Sequence, residues 1–100
     1  MSLNRYNPSR DANEIAISHY LRSQGCEVWP ISGAGVPDLL IGFCGQFYVA
    51  EVKMPRGKLT IAQEAFKLVC ERVDLPYPIF RSVEDAEGWV EQVLILPAQI

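Results

Sequence analysis

The chain has 100 residues, 49% hydrophobic and 21% charged, with its glycines and prolines spread along the length. One domain with a core of its own is expected from such a chain, and a disordered, collagen-like or coiled-coil protein is excluded, as is a membrane span of ~18 apolar residues. Nine basic against twelve acidic residues give a formal charge of −3, so an anionic partner such as nucleic acid must meet a local basic patch or a bound cation.

Residues 1–8 are polar and unpatterned and read as a flexible arm, followed by a single domain over 9–100. From Asp11 the pattern turns helical: Asp11 and Glu14 have capping-box spacing, and Ile15, Ala16, His19 and Tyr20 follow at helical intervals up to the stop at Gly25. His19 is the single histidine, which excludes a multi-histidine metal site and leaves it as a structural residue on a helix face. Cys26–Trp29 reads as a short strand closed by Pro30, and Ile31–Pro37 as a glycine-rich loop. Asp38–Phe43 and Phe47–Lys53 are apolar runs joined across Cys44-Gly45-Gln46; they predict a β-hairpin buried on both faces, because neither run alternates cleanly with polar residues. A basic loop, Met54–Leu59, leads to a second capping box, Thr60 and Gln63, which opens a helix with Ile61, Ala65, Phe66, Val69, Cys70 and Val73 on one face. Asp74–Pro78 breaks it, Ile79–Arg81 is a short strand, and Ser82 with Asp85 caps a last helix carrying Ala86, Trp89, Val90 and Val93. The three cysteines, Cys26, Cys44 and Cys70, are far apart and fit buried reduced thiols rather than disulfides or zinc. The order α-β-β-β-α-β-α predicts an α/β fold, a small mixed sheet with helices on both faces.

Chemistry concentrates in the hairpin. With Cys44 and Gly45 as a two-residue turn, Phe43 faces Gln46, Ile41 faces Tyr48 and Asp38 faces Glu51, while Lys53 shares the face of Glu51. An odd-length loop sends Glu51 and Lys53 to the opposite side. Two carboxylates directly opposed are destabilising unless a lysine or, better, a divalent cation compensates, and hard oxygen ligands favour Mg²⁺ or Mn²⁺. Asp38 after a proline also suits the end of a turn, and Glu51 with Lys53 a salt-bridged strand end. What favours a site is that both acids stand among apolar strand residues, where charge is rarely left without a partner.

At these residues the sequence resembles a known family. Gly35-Val36-Pro37-Asp38 followed by Glu51-Val52-Lys53 is similar to the signature of the PD-(D/E)xK nuclease superfamily. The run from Ser32 to Gly42 and the words Glu51-Val52-Lys53 and Gly57-Lys58-Leu59-Thr60 through Gln63 look like its VRR-NUC (virus-type replication-repair nuclease) branch. The resemblance covers Asp11 to Trp89, and Met54-Pro55 after the lysine departs from the pattern. It implies a restriction-endonuclease-like fold and a metal-dependent DNA endonuclease that hydrolyses phosphodiesters. Asp38, Glu51 and the Val52 carbonyl would ligate Mg²⁺ or Mn²⁺, with Glu14 reaching the metal directly or through water. Lys53 would position or deprotonate the attacking water, and Gln63 would orient Lys53 or that water. Glu14 and Gln63 each also occupy the third position of a capping box, which is an adequate explanation by itself.

Setting aside Glu14, Asp38 and Glu51 leaves acidic and basic residues equal in number. Arg56 and Lys58 beside Lys53, with Lys67 in the next helix, are candidate phosphate contacts, as is the backbone at Ser32 and Gly33; a solvated loop and a tight turn explain the same residues. The resemblance further implies a homodimer acting on branched DNA such as four-way (Holliday) junctions in DNA repair, in a bacterial cytoplasm or in the host cell of a phage, with no membrane partner and no organic cofactor. Trp89 and the apolar tail Val93–Pro97 are candidates for a dimer interface, with core packing of the last helix as the simpler view. The alternatives are a non-catalytic DNA-binding or scaffold module of the same fold, and an end-trimming or restriction-type nuclease.

Overall fold

A two-residue turn sets the register of the sheet. In the computed structural model, which describes residues 8–33 and 35–95 (8–11 as backbone only), strands β2 (Leu39–Phe43) and β3 (Gln46–Val52) flank Cys44 and Gly45. Both turn residues are left-handed, with φ of 49° and 81°, as a type I′ turn requires. The pairs that follow are Phe43 with Gln46, Ile41 with Tyr48 and Leu39 with Ala50, the register expected for an even loop. Strand β1 (Glu27–Pro30) pairs antiparallel with β2 and forms one edge, where its terminal Pro30 is tolerated. Strand β4 (Ile79–Phe80) pairs parallel with β3: the Glu51 N–H donates to the Pro78 carbonyl and the Lys53 N–H to that of Phe80, each at 3.0 Å. The four-stranded sheet is therefore mixed, in the order β1-β2-β3-β4.

Strand alternation puts Val28, Leu39, Ile41, Ala50, Val52 and Phe80 on one side, all of them buried. Helices α1 (Pro8–Ser23) and α3 (Val83–Trp89) cover that side, α3 continuing as a π-helical segment, Val90–Ile95. Ile17 and Leu21 from α1 and Ala86, Trp89, Val90 and Leu94 from the last helical stretch complete the core. Ser82 caps α3 as expected, its hydroxyl accepting from the Asp85 N–H. Gly25 ends α1 in a left-handed conformation (φ 94°), with the Cys26 N–H donating back to the Leu21 carbonyl.

Several expectations are corrected. Helix α1 opens at Pro8, whose fixed φ suits a first helical turn. Pro8 therefore belongs to the helix, Asp11 lies within it and is no cap, and residues 1–7 of the expected arm fall outside the described residues. The face that α1 buries is Ile17, Ser18 and Leu21 with Tyr20 half-buried, whereas Ile15, Ala16 and His19 are exposed. Cys44 is exposed at the turn; Cys26 and Cys70 alone are buried thiols. The hairpin is buried on one face, not two: on the other, Trp29 and Phe47 are exposed and Leu40, Gly42 and Val49 half-buried. Helix α2 (Ile61–Arg72) follows the capping box as expected, but among the described residues it makes no extensive contact with another helix or strand. Of its expected inner face Cys70 is buried and Phe66 half-buried, while Ile61, Ala65, Val69 and Val73 face solvent. Helical periodicity predicts that a residue stripe shares a side; it does not say what covers that side. Trp89 is a core residue, edge-on to Tyr48 at 5.4 Å and Phe80 at 5.6 Å, and takes no part in a surface. Of the tail beside it, Val93 is half-buried and Leu94 buried, and residues 96–97 fall outside the described residues. No described helix is long and apolar enough to cross a membrane.

The turn gives a first prediction. Cys44→Asn, which tolerates left-handed φ better, should raise stability by about 0.5–1 kcal/mol, and Gly45→Ala should lower it by about 1 kcal/mol, although a Cβ at Gly45 meets nothing within 4 Å. Urea midpoints of the two variants moving in the same direction would refute this account of the turn.

Candidate active site

Asp38 stands one residue before β2, so extending the register by one step places it opposite Glu51. Both acids are withdrawn from water, with relative exposures of 8% for Asp38 and 0% for Glu51. Asp38 is held from two sides. Its backbone carbonyl accepts from the Ile31 N–H at 2.8 Å, and its Oδ2 accepts from the Val52 N–H at 2.9 Å, taking the place of a ladder carbonyl where strand pairing ends. A strand residue turns its N–H and C=O toward the same neighbour, so the Val52 carbonyl also faces the Asp38 side.

Glu51 is met by two neutral donors. Gln63 Nε2 donates to its Oε2, and the Tyr77 hydroxyl donates to its Oε1 at 3.2 Å. The capping box decides how Gln63 is oriented. Its Oε1 accepts from the Thr60 N–H at 2.8 Å, so its Nε2 is left to point at the carboxylate. Capping and contact with the site are thus one arrangement.

Lys53 shares the sheet side of Glu51, and its stem passes beside Gly57, where an added Cβ would lie 3.6 Å from Lys53 Cδ. Its backbone is fixed by the Phe80 carbonyl and by Asn13, whose Nδ2 donates to the Lys53 carbonyl at 3.0 Å and to that of Arg81 at 3.3 Å. The Arg81 guanidinium donates to the carbonyls of Met54 (3.1 Å) and Gly57, shaping the loop on which Arg56 and Lys58 are exposed. Lys67 lies one turn beyond Gln63 on the same side of α2. Ser32 and Gly33 are exposed. The glycine is required by its turn, because a Cβ there would sit 2.8 Å from Val36 Cγ2.

By helical spacing Glu14 lies with Ile17, Ser18 and Leu21 on one side of α1. It follows Asn13, whose amide reaches the Lys53 carbonyl, so this part of α1 lies at the end of β3 that carries the acids. Among the described residues no three His, Cys, Asp or Glu side chains form a ready metal cluster. Asp38, Glu51 and the Val52 carbonyl all offer hard oxygens. Such a set fits a small divalent cation that keeps several of its waters.

Asn13, Tyr77 and Arg81 are not foreseen from sequence. Tyr77 carried a signal, since Pro76 and Pro78 on either side restrict the backbone that presents it. Asn13 and Arg81 act on carbonyls brought near only by the fold.

The fold and this site together define a small mixed α/β domain with a buried acid pair at one end of its hairpin. A solved structure titled "VRR_NUC domain" superposes with a TM-score of 0.76 at 17% identity, over 87% of this chain and 99% of that one. No protein-family model and no curated protein matches the sequence. The fold is that of a VRR_NUC domain, as the motifs around Asp38, Glu51 and Gln63 led one to expect.

Burial, and then the Glu51 carboxylate beside it, push the Tyr77 phenol well above its ordinary value of 10.0. The folded state therefore holds this proton more tightly than the unfolded chain. The stability it contributes is complete below about pH 10 and is lost as pH rises from there through the raised value. Urea midpoints of the wild type should fall above pH ~10, and fall less in Tyr77→Phe. The remaining decline includes Tyr20, whose phenol is also raised, by burial and then by Glu87. Equal alkaline slopes in the two proteins would show that Tyr77 has no part in it.

Proposed function

We propose that this chain is a Mg²⁺- or Mn²⁺-dependent deoxyribonuclease that hydrolyses phosphodiester bonds as an endonuclease, working as a homodimer on branched DNA such as four-way junctions. The observation that carries this reading is the placement of Asp38 opposite Glu51 at the buried end of the hairpin, with Lys53 on the side of Glu51.

Asp38, Glu51 and the Val52 carbonyl would hold the cation. When bound, it supplies charge neutralisation and a water made acidic enough to attack phosphorus. The Lys53 ammonium, fixed at its backbone by Phe80 and Asn13, orients that water and offsets negative charge developing on the phosphate oxygens. Gln63 keeps Glu51 in place from the N-terminus of α2. Glu14, on α1, would reach the cation directly or through water. Arg56 and Lys58, on the loop shaped by Arg81, and Lys67 meet flanking phosphates, as does the backbone at Ser32 and Gly33. These contacts steer DNA locally, which an acidic chain requires.

Two symmetric cuts need two copies. The outward side of α2 supports pairing better than Trp89, which is core. Ile61 (91% exposed) and Leu68 (62%) stand one heptad apart on it, and Glu64 and Arg72 stand symmetrically about Leu68. An antiparallel copy centred on Leu68 sets Glu64 against Arg72 twice.

Incubation with plasmid, linear, flapped and four-way substrates tests the reading. Cleavage should require Mg²⁺ or Mn²⁺ and favour the four-way substrate, and Lys53→Ala should slow it by ~10²–10³-fold with the fold intact by circular dichroism. Binding without metal-dependent cleavage would mark a scaffold module, and cutting confined to ends a trimming nuclease; either outcome overturns the proposal. Leu68→Glu should convert the dimer to a monomer in sedimentation equilibrium.

A further inference from the structure

The segment Pro76-Tyr77-Pro78 joins α2 to β4 and is built around one side chain. Pro76 has its own φ fixed by its ring, and Pro78 confines the residue before it to extended backbone, so Tyr77 has little freedom to lose. The same segment is stitched to the strand that carries Glu51, because the Pro78 carbonyl accepts from the Glu51 N–H at 3.0 Å. The Tyr77 hydroxyl then returns along that strand to the carboxylate of the same residue, donating to Oε1 at 3.2 Å. Backbone and side chain of Glu51 are therefore both held by one three-residue element. The ring of Tyr77 is packed edge-on to Phe66 of α2 at 5.2 Å and 65°, the helix whose first turn presents Gln63 to the other carboxylate oxygen.

Fixing both oxygens removes the rotation of the carboxylate plane about its terminal bond. A freely turning carboxylate would lose that freedom on binding a cation; this one has already lost it.

We infer that Tyr77 is a positioning residue: its hydroxyl, with the Gln63 amide, fixes the plane of the Glu51 carboxylate toward Asp38 and so sets the affinity of the pair for a divalent cation. This deepens the preceding reading, since it rests on Asp38 and Glu51 being the metal-holding pair. Tyr77 itself touches neither the cation nor the phosphate. Removing a group that orients a metal-holding carboxylate typically weakens metal binding by ~10–100-fold.

Mn²⁺ binding to the full, DNA-free chain, followed by titration calorimetry, tests this with two variants. Tyr77→Phe keeps the ring against Phe66 and removes the hydroxyl alone; it should weaken Mn²⁺ binding ~10-fold or more. Phe66→Leu loosens the ring contact and keeps the hydroxyl; it should lower the melting temperature and leave Mn²⁺ affinity within ~3-fold of wild type. A purely structural Tyr77 would show the reverse, with affinity following melting temperature in both variants. Tyr77→Phe binding Mn²⁺ as tightly as wild type, or more tightly, overturns the positioning role and leaves the nuclease reading intact. A wild-type chain that binds no Mn²⁺ overturns both.

Discussion

Everything in the site depends on the parity of one turn. Because Cys44 and Gly45 both take left-handed backbone, the loop has two residues, and the side chains of β2 and β3 fall into step. Leu39, Ile41, Ala50 and Val52 then meet α1 and α3 in the core, and Glu51 and Lys53 are left on the other side. One residue more in the loop would carry Glu51 and Lys53 into the apolar side, where a charge has no partner and costs several kcal/mol. The hydrophobic pattern of β3 and the chemistry of its end are therefore selected together. Loss of register would remove both.

The same parity creates a problem that the surrounding residues solve. Opposed strand residues hold their Cβ atoms about 5 Å apart, and two unit charges at such a separation, at an effective dielectric constant of about 20, repel by about 3 kcal/mol. Hydrogen bonds to charged groups return roughly 1.5–3 kcal/mol each, and three are in place: the Val52 N–H on Asp38, and Gln63 and Tyr77 on Glu51. These bonds oppose the repulsion at the atoms where it acts, so the hairpin register and the contacts that hold its acids belong to one arrangement.

How much of this was legible in the sequence follows from which forces are local. The register, the capping box at Thr60, the N-cap at Ser82 and the stop at Gly25 depend on neighbours a few residues apart, and each is found as read. Gln63 was read two ways, as a cap and as a site residue, and its amide does both because it has two ends. The errors arise where tertiary neighbours decide. Ile15 and His19 look as helical as Ile17 and Leu21, yet only the latter pair reaches the sheet. The apolar side of α2 looks like core and is open. Asn13 and Arg81 satisfy carbonyls of Lys53, Met54 and Gly57 that lie far from them in the chain, so no spacing rule finds them.

The loose attachment of α2 gives these contacts a consequence. A helix with one buried residue, Cys70, gains little from burial, so the few polar and aromatic links it does make weigh more in holding it. Two of them, Gln63 to Glu51 and Phe66 to Tyr77, end at the same acid or at the residue that donates to it. Movement of α2 away from the body would therefore release the carboxylate as well as the helix. Conversely, anything that holds Glu51 in place stabilises the docked helix by the same free energy, since coupling between two sites is reciprocal. The acid pair and the docked position of α2 are in this way linked, chiefly through the Gln63 amide, whose donor end lies on Glu51 itself.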